Sequence, residues 1–171
     1  MRRRSRKLDI ALILLVAATG WPSASRADGT VESDEFGIYF GNFLPNQIEG
    51  VTEMLPVFGL RYAYPIAPAF AIEGGLANSH AKGIDFTALT VDFRADVELA
   101  AQVMALAYGG LTFDYYIPNG RTDRTSGWGG NVGGGVEMGV TDNLWLRGDM
   151  AFSANPGTAL FFGLGLALRT N

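Results

Sequence analysis

The sequence predicts an all-β chain, an eight-stranded antiparallel up-and-down transmembrane β-barrel. Three observations predict it. Bulky apolar residues alternate with polar or small ones at period two along most of the chain, the spacing of a strand rather than a helix. Eight such stretches occur, and an even strand number is what a closed barrel of this class requires. Charge is low, at 18% against about 25% in soluble domains. Glycine is abundant at 23 residues and aromatics make up 12%, which suits a wall with one face in lipid.

The N-terminal stretch is of a different kind. Arg2, Arg3, Arg4, Arg6 and Lys7 precede an apolar run from Ile10 to Thr19, then helix-breaking Gly20 and Pro22, then Ser25-Arg26-Ala27. Basic, apolar and small-x-small is the pattern of a secretory signal peptide. Residues 1–27 are therefore expected to be removed after Ala27, with 28–171 forming the barrel domain. The apolar run is about half of the roughly 20 residues a spanning helix needs, which argues against a membrane anchor. Removal takes six of thirteen basic residues and one of seventeen acidic ones, leaving seven against sixteen. Such an acidic product is a poor nucleic-acid binder, because phosphate must be neutralised by excess Lys and Arg.

The strands follow in order. Phe36, Ile38 and Phe40 alternate with Gly37, Tyr39 and Gly41. Phe58, Leu60, Tyr62 and Tyr64 alternate with Gly59, Arg61 and Ala63. Phe70, Ile72 and Leu76 oppose Ala71, Glu73 and Gly75. The fourth is the clearest: Leu89, Val91, Phe93, Ala95, Val97 and Leu99 lie on one face, with Thr90, Asp92, Arg94, Asp96 and Glu98 on the other. A helix would scatter those charges around its circumference. Val103–Tyr116 is apolar on both faces, and a helix over Ala100–Ala107 is its alternative. In Trp128–Thr141, Val132, Val136 and Met138 oppose Gly133, Gly135 and Glu137. Leu144, Leu146, Met150 and Phe152 oppose Asn143, Arg147, Asp149 and Ser153. Leu160, Phe162, Leu164, Leu166 and Leu168 oppose Phe161, Gly163, Gly165, Ala167 and Arg169.

Three connections are tight, at Pro65–Pro68, Ala100–Gln102 and Thr141–Asn143. Those at Leu44–Leu55, Asn78–Asp85 and Ile117–Gly127 run longer, and Ser153–Gly157 is short. Short turns at one end and longer loops at the other are expected of a membrane barrel, with the short turns in the periplasm.

In a soluble sandwich the apolar face points inward; here it is expected to face lipid. The opposite faces are small wherever they are not charged, and a narrow eight-stranded interior has little room. On a solvent-facing strand, glycine would only weaken the sheet. The lumen is then expected to hold Arg61, Arg94, Arg147 and Arg169 with Glu73, Asp92, Asp96, Glu98, Asp114, Glu137 and Asp149. Tyr62, Tyr64, Tyr115, Tyr116 and Trp128 fall near strand ends and are expected to form the aromatic girdles of the bilayer interfaces.

The segment Gly133-Gly-Gly-Val-Glu-Met-Gly-Val-Thr-Asp-Asn-Leu-Trp-Leu-Arg-Gly-Asp149, with the pattern around it, resembles the small outer-membrane barrel superfamily of the outer membrane protein A and X type. Its glycine-rich strand, Thr-Asp-Asn turn and Leu-x-Leu-Arg-x-Asp look like that family's sixth and seventh strands. The resemblance covers nearly the whole of 28–171 as a pattern. It implies location in the outer membrane and contact with its lipids and lipopolysaccharide. It also implies insertion by the outer-membrane assembly machinery.

Chemistry-bearing motifs are few. With no cysteine, there is no disulfide framework, Cys-ligated zinc, thiol nucleophile or lipid-anchored cysteine. His80 is the single histidine and falls in the expected second loop. Neighbouring Ser79 would point away from it on a strand, which leaves a nucleophile without its base. Gly129–Gly135 lacks the strand–loop–helix context and the Lys-Ser/Thr of a nucleotide loop. Asp85, Asp92 and Asp96 do not have a calcium-loop spacing. No cofactor, metal or catalytic residue is expected. Arg121-Thr-Asp-Arg124 reads as a polar loop tip, with contact to lipopolysaccharide as the alternative. The functional expectation is a non-catalytic scaffold with exposed loops. The alternatives are a narrow pore, a lipid-modifying enzyme and a soluble periplasmic ligand-binding barrel. The sequence does not fix the oligomeric state.

Overall fold

The computed structural model describes residues 33–46, 48, 53–81, 83–117, 125–154 and 157–170. The expected signal peptide with its cleavage site and the Arg121–Arg124 motif lie outside the described residues. Eight strands run in chain order: β1 (Asp34–Asn46), β2 (Leu55–Ala67), β3 (Phe70–Ala81), β4 (Ile84–Ala100), β5 (Val103–Ile117), β6 (Thr125–Gly139), β7 (Leu144–Ala154) and β8 (Thr158–Thr170). Each pairs antiparallel with its sequence neighbour, and β1 pairs with β8, so the sheet closes as an up-and-down barrel. Closure removes the free edges that hydrocarbon cannot hydrogen-bond. All eight strands exceed or match the roughly 9–11 residues a tilted spanning strand needs.

The period-two pattern sets which way each side chain faces. Phe36, Ile38 and Phe40 on β1, Leu89, Val91 and Phe93 on β4, and Leu160, Phe162, Leu164, Leu166 and Leu168 on β8 all point out and are exposed. Arg61, Glu73, Asp92, Arg94, Glu137, Arg147 and Asp149 point in and are buried. Aliphatic exterior and charged interior invert the order of a soluble protein. A continuous apolar belt of this extent is stable only in a non-aqueous surround. The β5 segment is strand throughout. Both its faces are apolar because Leu106 and Tyr108 fill the lumen while Leu111 faces out.

Small residues make the interior possible. A Cβ on Gly133 would lie 2.5 Å from the Tyr108 ring, and one on Gly135 would lie 2.7 Å from Asp149 Cβ. Facing positions on adjacent strands thus trade a glycine for a large partner.

The second connection differs from expectation. Asn78–Asp85 is not a long loop: β3 and β4 stay paired through Asn78–Thr87, His80–Asp85 and Ala81–Ile84. Only residues 82 and 83 are left between the strands, with Gly83 at φ 76°, a left-handed conformation that disfavours other residues. Polar Asn78-Ser79-His80 reads as loop only if strands must end where apolar alternation ends. Above the lipid, the outward face of a strand is free to be polar. Asn78 Nδ2 donates there to Thr87 Oγ1 at 3.0 Å.

Candidate functional site

The lumen holds two zones stacked along the barrel axis. Near the short-turn end, charged side chains from seven of the eight strands converge. Arg94 (β4) donates to Glu35 (β1) at 2.9 and 3.1 Å, to Glu73 (β3) at 2.7 Å and to Asp96 at 3.0 Å. Arg147 (β7) donates to both Glu73 oxygens, at 2.7 and 3.1 Å, and to Asp149 Oδ2 at 3.0 Å. Arg61 (β2) donates to the same Asp149 oxygen at 2.6 Å. Arg169 (β8) bonds Glu35 at 3.3 Å and pairs closely with Glu137 (β6). Aromatic rings cover the guanidinium faces. Arg61 lies 4.3 Å from the centroid of Tyr39, Arg147 5.5 Å from Tyr108 and Arg169 4.0 Å from Trp145. Planar, forked donors suit such a multiply bonded site.

Near the loop end the lumen is apolar. Phe43, Leu55, Val57, Phe86, Ala88, Tyr116 and Ala159 form one buried cluster, with Ile48 and Ile84 above. Phe86 is its centre, stacked on Phe43 at 4.6 Å and on Tyr116 at 4.9 Å between ring centroids.

Most expected lumen charges lie on this inner face, and two expectations need correction. Glu98 has the inward parity of Asp92, Arg94 and Asp96 but is exposed. It still pairs with Met104, beside the register shift before Ala100 and two residues from the end of β4. Tyr116 is not a girdle residue. It is fully buried in the lumen, since adjacent residues of a strand face opposite ways and only Tyr115 can face out. Tyr62, Tyr64 and Trp128 do face outward. Tyr62 donates to Asp34 at 2.9 Å, and Trp128 packs on Phe113 at 5.2 Å. Asp114 is inward but sits apart from the arginines, accepting from Thr112 at 2.8 Å.

Sequence reasoning missed Glu35, Tyr39, Trp145 and the phenylalanine plug. Extending the first strand back by one residue would have found Glu35, which shares the parity of Gly37 and Tyr39. Phe43 and Phe86 could have been found by extending period two a few residues beyond the alternation read in the first and fourth strands. Ser79 and His80 occupy opposite faces of β3: Ser79 is buried inside, and His80 projects outward and meets Asp85 across the hairpin.

No protein-family profile matches the sequence, and no curated protein matches it either. Solved structures do. The N-terminal β-barrel domain of OprF from Pseudomonas aeruginosa matches with a TM-score of 0.68 and 13% identity, covering 81% of this chain and 97% of that one. Neisserial surface protein A matches at 0.65 and 10%, covering 81% and 96%. OprG, also from Pseudomonas aeruginosa, matches at 0.58 and 9%, covering 81% and 97%. The chain has the fold of the eight-stranded outer-membrane barrels, as its sequence pattern implied.

Proposed function

We propose that this chain is a non-conducting, non-catalytic barrel of the bacterial outer membrane. Its rigid wall holds the loop end at the cell surface for contact with lipopolysaccharide and other molecules. One observation carries the reading: the lumen is filled at two successive levels, by arginine–carboxylate pairs and then by stacked aromatic rings. A solute crossing the barrel would have to break the first and displace the second. Eight strands leave an interior that side chains can fill, and here they fill it. Outer-membrane lipids contact the aliphatic belt, and the assembly machinery of that membrane inserts it.

Two measurements test this. Heat-modifiable gel migration of the membrane fraction is expected to show a folded barrel. Purified protein in planar bilayers is expected to give no steady unitary current, and a reproducible conductance would refute the scaffold reading in favour of a narrow pore.

A further inference from the structure

Above the charged zone the lumen keeps a cavity of about 100 Å³. Its floor is aromatic. The Tyr39 ring lies across Gly59 and the Tyr108 ring across Gly133, positions where a Cβ would collide with them. Arg61 and Arg147 sit over these rings, and both tyrosines line the cavity. Phe43, Val57, Phe86 and Ala88 of the plug form one side. Ala151 and Phe161, which pair across β7 and β8, belong to the other.

The cavity is not sealed. Inward alanines elsewhere in the wall, such as Ala63, Ala71 and Ala167, are buried. Tyr39, Asn131, Ala151, Ser153 and Phe161 also point inward, yet they are only half-buried. They lie on β6, β7, β8 and β1, a continuous stretch of wall. The plug comes mainly from β1, β2, β4 and β5. Beside it, β6 offers Gly127 and Gly129, which pair with inward Asp114 and Thr112. The lumen therefore has an apolar, accessible side that no large side chain of β6 or β7 covers.

Water is a poor occupant, because an enclosed water needs about two to four polar partners. The polar groups of the wall are mostly bonded to one another: Arg61 donates to Asp149, Thr112 to Asp114, and Asn131 and Thr90 bond Asp92. The oxygens left without a donor, Oδ1 of Asp92, Asn131 and Asp149, have almost no accessible surface. The half-buried Tyr39 and Ser153 hydroxyls remain to meet a ligand. Charge narrows the class further. Four acidic side chains on the wall disfavour an anion, while Arg61 and the sealed carboxylate oxygens give a cation little to hold. An apolar cavity of about 150 Å³ binds benzene, so this smaller, unsealed one suits a single small ring.

We infer that this cavity binds one small neutral molecule, a single ring carrying a hydroxyl group, with its apolar body between Phe161 and the plug and its hydroxyl at Tyr39 or Ser153. Concave, mostly apolar walls with a few polar groups are the usual form of such sites. The pocket is a dead end, because the arginine–carboxylate pairs fill the lumen beneath it. Binding therefore requires no conduction.

The test is fluorine NMR on the barrel folded in detergent micelles, with heat-modifiable migration confirming the fold of each variant. The probe is para-fluorophenol. A saturable signal of one molecule per barrel is expected on top of linear partition into detergent. Ala151→Leu places a larger side chain in the cavity and is expected to weaken binding by about tenfold or more. Ala107→Leu, on the lipid face, is expected to bind like the wild type. para-Fluorobenzoate, an anion at neutral pH, is expected to show no saturable binding. Linear partition alone would overturn the site, as would unchanged binding in Ala151→Leu or an equal loss in Ala107→Leu. Saturable binding of the benzoate as tight as that of the phenol would overturn the neutral class. Should Ala151→Leu fail to fold, nuclear Overhauser contacts in the wild type decide the matter. Contacts from the bound ring to the Ala151 methyl group are expected, and their absence would sink the proposal.

Discussion

Leu164 tests the face assignment by depth. It is the central residue of β8 (Thr158–Thr170), 65% exposed, beside outward Phe40 on β1 and Gly148 on β7. Leu168 lies on the same face of the same strand, four residues nearer the short-turn end. With a rise of about 3.3 Å per residue and a tilt of about 40°, that step moves it roughly 10 Å along the membrane normal. The apolar band is about 25 Å tall, so a residue at its middle is taken nearly to the interface. Leu164→Arg is then expected to cost about 2–4 kcal/mol, and Leu168→Arg about 0–1 kcal/mol. The first corresponds to a loss of roughly 30- to 700-fold in the folding constant. Gly148 leaves open wall next to position 164, so a clash does not complicate the comparison. The assay is equilibrium urea unfolding in lipid vesicles, followed by tryptophan fluorescence. Equal costs at the two positions, or no cost at Leu164, would refute the inference that this face meets hydrocarbon, because a water-exposed face has no depth dependence.

Two further substitutions probe the lumen. Glu73 accepts from Arg94 and Arg147 and lies 3.9 Å from Arg61, so Glu73→Ala strands buried guanidinium charge and is expected to cost about 3–5 kcal/mol in the same unfolding assay. Gly133→Leu drives a side chain into the Tyr108 ring and is expected to cost about 1–3 kcal/mol. Combined with Tyr108→Ala it should cost measurably less than the two single changes added together, with a coupling of about 0.5–3 kcal/mol.

The strand faces were legible because side-chain direction follows parity alone. Once Leu89–Leu99 is read as a strand, Asp92 and Arg94 must share a face, whatever surrounds them. What parity does not encode is where a strand ends and which inward groups meet. Glu98 and Asp92 share one parity in the sequence pattern, yet Glu98 near the end of β4 is exposed and Asp92 near its middle is buried. Residue type alone puts Tyr115 and Tyr116 together in a girdle, but adjacent strand positions cannot share a surface. The division of the lumen into a charged floor and an aromatic plug depends on the stagger between strands. It brings Phe43, Phe86 and Tyr116 from β1, β4 and β5 to one height, and no single strand carries that information.

The charged zone also bears on how the barrel finds its register. Replacing a whole buried ion network by apolar residues is often neutral in stability, so its presence calls for another explanation. A one-residue slip of any strand exchanges its two faces. In a soluble sheet such a slip exposes leucines to water. Here it would also carry Arg94 or Arg147 toward hydrocarbon, at a cost of about 2–4 kcal/mol each at mid-depth, while orphaning Glu73. Glu35 and Arg169 pair directly across the β1–β8 seam, the joint that no short turn fixes because its strands are the most distant in sequence. Arg94 bonds Glu35 from β4 on the far side of the lumen. Closure in the wrong stagger would separate these partners while leaving most backbone ladders intact. The network therefore discriminates among registers that the ladder hydrogen bonds treat as nearly equivalent.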